Sequence, residues 1–136
     1  MAVNVLADAG FLVAILADRD ANHPWAVATS ERHPPPWITC EAVLSEAFYL
    51  LGGAGASSLI ELLRQRNVVS AFRLADNSAE VLALLTKYSD VPMSFADACL
   101  VRMTETMSQP LLLTTDADFR VYRRHSRQVV PCLMPT

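Results

Sequence analysis

The sequence predicts an α/β protein built on a parallel sheet that helices cover on both faces. Short apolar runs rich in β-branched residues alternate along the chain with longer segments of helical periodicity. Strands that are buried on both faces read as continuous apolar runs, which is typical of parallel sheets. With 136 residues, 52% of them hydrophobic, the chain is long enough for a single domain, residues 1–136, with a sizeable core.

The predicted elements follow one another in a strand–helix order. Strands are expected at residues 3–7, 37–39, 68–72 and 110–115, with a last edge strand at 129–130. Helices are expected at residues 10–17, 20–32, 40–51, 57–66, 78–88 and 94–106. The prolines at 34–36 end the second helix, Thr39 is expected to cap the third, and the glycines after Leu51 separate the third from the fourth.

Composition and charge narrow the class of protein. The net charge of −3 argues against binding of nucleic acid by bulk electrostatics, although a bound metal would add positive charge. Three widely spaced cysteines argue against a disulfide framework and favour small apolar packing in a reducing cytoplasm. No signal peptide is expected, and the apolar stretch between Glu46 and Glu61 is shorter than the roughly 20 residues of a membrane span.

Four acids, Asp8, Glu46, Asp97 and Asp116, stand in the most apolar parts of the chain. Charged side chains are rarely buried without compensation, and neighbouring carboxylates repel unless a proton or a cation joins them. Asp8 and Asp116 each follow a predicted strand, and ligands bind beyond the carboxyl ends of parallel strands. A hard divalent cation held by oxygen atoms would compensate this charge, so the pattern predicts a metal-dependent hydrolase.

Each of these acids also has a purely structural interpretation. Asp8 is placed as a helix N-cap, and Ser94 with Asp97 has the spacing of a capping box. An Asx-turn explains either Asp116 or Asp118, but not both equally well; Asp118 is expected to orient a water or to cap the short helix that follows. Glu46 could point to solvent. Their joint placement favours the functional interpretation.

Four short segments resemble, in order, the PIN-domain ribonucleases, and in particular the VapC-like toxins of bacterial toxin–antitoxin pairs. The segments are residues 5–14 (VLADAGFLVA), 45–47 (SEA), 95–98 (FADA) and 113–119 (LTTDADF). The resemblance implies a three-layer α/β/α fold. It also implies that the four acids gather around Mg²⁺ or Mn²⁺, with the Thr114 hydroxyl supporting the site. Many members carry Ser or Thr where this chain has Ala9, which predicts weaker metal binding or activity.

The expected reaction is hydrolysis of RNA phosphodiester bonds. Arg120, Arg123, Arg124 and Arg127 form the only dense basic cluster, and on a helix they would share a face that could hold phosphates; a solvated surface is the alternative. The resemblance further implies a homodimer and an antitoxin partner. Two other interpretations stay open: a weak or inactive protein-binding module that uses the apolar segment 54–63, and a metal-dependent phosphatase.

Overall fold

The computed structural model describes residues 3–136. Its strands are β1 (Asn4–Ala7), β2 (Trp37–Thr39), β3 (Val68–Ser70), β4 (Pro110–Leu113), β5 (Arg123–Arg124), β6 (Gln128–Val129) and β7 (Cys132–Leu133). Five of them form a central parallel sheet in the order β3-β2-β1-β4-β7, and the short strands β5 and β6 form a separate antiparallel pair. This architecture confirms the predicted α/β class with a central parallel sheet.

Helices flank the sheet. They are α1 (Ala9–Leu16), α2 (His23–Arg32), α3 (Glu41–Arg64), α4 (Ser78–Lys87) and α5 (Phe95–Thr106). α1 packs against α2 and α3, while α4 packs against α5. Short 3₁₀ turns at Leu74–Asp76 and Ala117–Arg120 complete the fold.

The core combines the sheet with α1 and α5, among other elements, and the part around α1 positions the first acid. Phe11 on α1 is fully buried and meets the edges of Trp25 and Trp37, with ring centroids 5.9 and 5.0 Å apart. Burial of one such side chain stabilises the fold by roughly 1.5–3 kcal/mol. This packing fixes the start of α1 against the end of β1, which is where Asp8 lies.

The predicted helices at 40–51 and 57–66 join into α3 across a kink. The kink lies at Gly52, whose φ of 68° and ψ of −166° are not helical and favour glycine. The prediction that Thr39 caps this helix is wrong. Its hydroxyl donates instead to the Ala7 carbonyl at 2.8 Å, and Cys40 occupies the cap position without a side-chain bond.

By length and composition, α3 alone among the helices of residues 3–136 could cross a membrane, with a mean hydropathy of 1.3 over its best window. At 24 residues it is longer than the apolar stretch identified in the sequence. The helix nevertheless buries Val43, Ala47 and Leu59 in the core, so its apolar character serves packing on one side. The other side leaves Tyr49 86% exposed and Leu50 54% exposed.

The segment that carries Arg123, Arg124 and Arg127 is not helical, which corrects the expectation that the clustered arginines share a helix face. Arg123 and Arg124 form β5, which turns back into β6 through His125 and Ser126, both with positive φ (49° and 69°). Because Val129 pairs here in β6, the edge strand predicted at 129–130 is also wrong, and β7 forms the edge of the main sheet.

Candidate active site

The ends of β1 and β4 bring two of the acids to the same edge of the sheet. Ala7 lies opposite Leu113 in the parallel pair, and the Asp8 amide donates to the Leu113 carbonyl at 3.0 Å. Asp8 and Asp116 therefore follow neighbouring parallel strands, and both lie at the edge of the sheet where the carboxyl ends of the strands meet.

Asp8 is a buried carboxylate with a hydrogen-bond donor on each oxygen. It is 6% exposed; Oδ1 accepts from the Ala9 amide at 2.7 Å and Oδ2 accepts from the Thr114 hydroxyl at 2.7 Å. Thr114 Oγ1 also accepts from the Asp116 amide at 3.0 Å. The Thr114 hydroxyl thus ties the turn after β4 to Asp8. Both Asp8 oxygens are held without any side-chain hydroxyl at position 9.

Asp97 lies in the first turn of α5, and the capping-box spacing noted in the sequence is realised there. Its amide donates to the Ser94 hydroxyl at 3.0 Å, and the residue is 8% exposed. The carboxylate Oδ2 accepts from the Tyr122 hydroxyl at 3.0 Å. Tyr122, which is fully buried, did not emerge from the sequence, because a single tyrosine among arginines forms no recognisable local pattern.

The remaining acids complete one cleft. Asp116 Oδ1 accepts from the Asp118 amide at 2.9 Å, so Asp116 rather than Asp118 caps the short helix that follows, contrary to the expectation for Asp118. Glu46 is exposed, not buried as its apolar sequence context suggested. The cleft has a volume of about 370 Å³. Its lining residues include Asp8, Glu46, Asp97, Asp116 and Asp118.

The surroundings of the two buried carboxyl groups in the cleft disfavour their charged forms. Burial raises the pKa of Asp8 to about 7, which the bonds from Thr114 and Ala9 only partly offset, and the charges of Asp97 and Glu46 add to the rise. Burial likewise raises the pKa of Asp97. Asp116 adds to that shift, whereas the Tyr122 hydroxyl opposes it.

The donor chemistry of the cleft fits a hard cation. All the charged groups that line it are carboxylates, which are the ligands that Mg²⁺ and Mn²⁺ prefer. Within residues 3–136 no three Asp, Glu, His or Cys side chains lie close enough to form a closed ligand cluster. Mg²⁺ keeps several waters and takes only one or two protein carboxylates, so an open arrangement suits it.

Gly10 allows the start of α1 to approach the turn after β4. A Cβ atom at this position would lie 2.0 Å from Thr115 Oγ1 and 3.2 Å from Thr115 Cβ. Rotating the hydroxyl away would still leave the Cβ contact tight. The close approach therefore requires glycine here, and both residues line the cleft.

The arginines expected to hold substrate are engaged differently from one another. Arg123 Nη1 donates to the carbonyls of Arg120 and Tyr122 at 2.7 and 2.9 Å. Arg124 Nη2 donates to the Thr104 carbonyl of α5. Both guanidinium groups thus hold the backbone of the hairpin and its surroundings, whereas the Arg120 side chain is exposed after the cleft-lining Asp116 turn.

Comparison with known proteins gives a structural and a family match. The structure of the Mycobacterium tuberculosis toxin VapC20, described as cleaving the sarcin–ricin loop, aligns with a TM-score of 0.74 and 23% identity, covering 86% of this chain and 93% of that one. No curated protein matches the chain in sequence. The family model for the PIN domain matches residues 5–124. The resemblance found in the sequence is confirmed: the chain belongs to the PIN-domain family.

Proposed function

We propose that this protein is a metal-dependent endoribonuclease, the toxin of a toxin–antitoxin pair, that hydrolyses RNA phosphodiester bonds in the cytoplasm. The observation that carries the proposal is the buried carboxylate of Asp8, which faces a cleft with further acids and whose pKa is raised to about 7. Such a site is stabilised when a cation enters it. The fold shared with VapC20, a toxin described as cleaving the sarcin–ricin loop, supports RNA as the substrate.

Asp8, Glu46, Asp97 and Asp116 are the residues that would hold Mg²⁺ or Mn²⁺, one or two of them directly and the others through water. Bound there, the ion would lower the pKa of a water and neutralise phosphate charge. Asp8 and Asp97 are fixed by hydrogen bonds from Thr114 and Tyr122, so their carboxylates are oriented before any ligand arrives.

Glu46 has a different role from the buried acids. Its side chain is exposed on α3 at the rim of the cleft, whereas Asp8 and Asp97 are buried. A carboxylate oxygen at this place can accept the proton of the attacking water while the buried acids stay charged. Glu46 therefore acts as the general base, or completes the ligand set.

Residues beside the four acids are proposed to position the site and the substrate. Thr114 and Asp118 hold the Asp116 turn, through Thr114 Oγ1 and the Asp118 amide. Of Arg120, Arg123 and Arg124, Arg120 is the one proposed to contact an RNA phosphate, since the other two already bind backbone carbonyls. Arg123 and Arg124 instead keep the segment that follows Asp116 in place beside the cleft.

The partners proposed are a second copy of the chain and an antitoxin protein. The exposed apolar side of α3, with Tyr49, Leu50 and Ile60, offers the apolar area that such a partner would cover. This same surface favours the alternative function, a catalytically weak or inactive protein-binding module on the PIN fold.

Cleavage of a panel of structured RNAs, including tRNA and ribosomal fragments, tests the proposal. Wild type, Asp97→Asn and the exposed control Asp90→Asn are compared with Mn²⁺, with Mg²⁺ and with EDTA. We expect metal-dependent cutting by wild type and control, and a loss of at least a hundredfold in Asp97→Asn. A folded wild type that cuts no RNA with either metal would favour the binding module, and turnover of small phosphate esters alone would indicate a phosphatase.

A further inference from the structure

Two cysteine thiols meet beside the acid cleft. Cys40 stands at the N-cap of α3 and Cys99 lies on α5, far away in the sequence, yet both side chains line the same small cavity. Both residues are buried, with exposures of 1% and 2%, and both are free thiols. The packing of α5 against α3 brings them together.

A small cavity connects this thiol pair to the surface. It has a volume of about 130 Å³, and its lining includes Cys40, Cys99, Phe72, Leu74 and Phe95. Leu74 and Phe95 are 42% and 43% exposed, so they form the mouth of the cavity and leave the thiols at its base. A molecule little larger than water can reach the sulfur atoms, whereas a bulky reagent cannot.

We propose that Cys40 and Cys99 form an oxidation site, at which a peroxide joins them in a reversible disulfide that disables the acid cleft. Cys40 sulfur attacks one oxygen of hydrogen peroxide, and hydroxide leaves, giving a sulfenic acid. Cys99 sulfur then attacks the Cys40 sulfur, the S–S bond forms, and water leaves. In total two thiols lose two protons and two electrons, and one peroxide becomes two waters.

The disulfide disturbs the cleft because both of its anchors belong to elements that carry site acids. Cys99 lies two residues after Asp97 on α5, and Cys40 begins the helix that carries Glu46. A disulfide holds its sulfurs at about 2 Å, which is closer than two free thiols in van der Waals contact, so its formation draws the two segments toward each other. A shift of about 1 Å at a catalytic group can cost on the order of 100-fold in rate.

A reversible bond of this kind suits a reducing compartment, where disulfides that do form are usually transient or redox-sensing. The effect on the cleft depends on the nuclease function proposed above, whereas formation of the bond does not. The two parts can therefore be measured separately on the same protein.

The experiment oxidises the reduced full chain with hydrogen peroxide in EDTA, removes the peroxide, unfolds the protein in urea, traps remaining thiols with N-ethylmaleimide, and maps cross-links by peptide mass spectrometry. Cys132→Ala is the matched control that keeps the pair, and Cys40→Ala removes it, with Cys99→Ala as its replacement if that variant does not fold. We expect a Cys40–Cys99 link in wild type and in Cys132→Ala. RNA cleavage should fall about 100-fold and recover with dithiothreitol, and Cys40→Ala should keep cutting after peroxide.

Full alkylation of Cys40 and Cys99 after peroxide would overturn the proposal, as would a Cys40–Cys99 link that leaves RNA cleavage unchanged. If the reduced protein cuts no RNA, the nuclease proposal fails, and the mapped link still decides whether the oxidation site exists.

Discussion

Replacing Asp8 by Asn should stabilise the metal-free protein, although Asp8 lies at the heart of the site. A rise of its pKa from 3.8 to about 7 corresponds to a cost of about 4 kcal/mol for keeping the carboxylate charged in the fold at alkaline pH. Asparagine carries no charge, so this cost disappears.

Part of that gain is lost in the hydrogen bonds. Asparagine Oδ1 can still accept from the Ala9 amide, but its amide group faces the Thr114 hydroxyl, which now donates to Asp8 Oδ2. The pKa of about 7 already includes the hydrogen bonds to the charged carboxylate, so the remaining loss is the mismatch of two donors, the asparagine amide and the Thr114 hydroxyl, which costs about 1–2 kcal/mol. The net expectation is a gain of roughly 2 kcal/mol, which raises the urea midpoint by about 1 M.

The pH dependence has a definite sign. Above pH 7 the Asp8 carboxylate is ionised in both states and the fold bears the full cost. Between pH 7 and 3.8 the folded protein binds a proton that the unfolded chain does not, so wild type gains stability relative to the variant as the pH falls. The difference between the two proteins should therefore shrink from pH 8 to pH 5.

Urea unfolding followed by tryptophan fluorescence, in EDTA at pH 8 and pH 5, measures this difference, with Asp90→Asn as the exposed control. Adding Mn²⁺ should stabilise wild type by about 2.7 kcal/mol at 100 times its dissociation constant, and the variant much less. If Asp8→Asn is less stable than wild type at pH 8 in EDTA, the hydrogen bonds of Asp8 outweigh its burial and the reasoning is refuted.

Three further predictions concern other parts of the site. Tyr122→Phe removes the donor to Asp97 and should weaken Mn²⁺ binding, measured by calorimetry, at least tenfold while the fold persists; unchanged affinity would mean that the hydroxyl does not orient Asp97. Glu46→Gln should abolish RNA cleavage but change the unfolding free energy by no more than about 0.5 kcal/mol, because the side chain is exposed. Gly10→Ala should destabilise the fold by about 1–3 kcal/mol in urea, and adding Thr115→Ala should recover part of it; a neutral Gly10→Ala would show that the turn can relax.

Four of the five strands of the main sheet and two of the cleft acids could be predicted because each depends on a local pattern and one general rule. Asp8 and Asp116 directly follow apolar strands, and the carboxyl ends of parallel strands meet at one edge. The rule needs no knowledge of which strands are neighbours, yet β1 and β4 do pair directly. Strand β2 was predicted with its observed bounds because Pro36 and the end of α2 delimit it.

The hairpin of β5 and β6 could not be predicted, because its turn carries the wrong residues. Short hairpin loops need positive φ at one or two positions, and the usual signal is glycine there, often after Asn or Asp. Here the loop has three residues, 125–127, and His125 and Ser126 adopt positive φ without glycine. Tertiary contacts hold it in place: the His125 amide donates to Glu105 on α5, and Arg124 donates to the Thr104 carbonyl.

Contacts between segments that are distant in the sequence could not be predicted either, because they also depend on tertiary packing. Tyr122 and Asp97 are linked through the packing of α5 beside the segment that follows β4, and Cys40 meets Cys99 through another face of α5. A periodic pattern shows which side of a helix is buried, but not what it is buried against. α5 is nearly all buried, so its pattern could not distinguish the face that holds Tyr122 from the face that holds Cys40.

Glu46 shows how an apolar context can mislead about burial. Its apolar neighbours suggested a buried helix, but Tyr49 and Leu50 on the same stretch are exposed. An apolar helix face that remains at the surface indicates a partner, and here that face adjoins the cleft, since Leu50 lines it together with Glu46. A protein that covers Tyr49 and Leu50 would therefore also restrict access to Glu46, which makes this part of α3 the place where binding of a partner and control of the cleft would coincide.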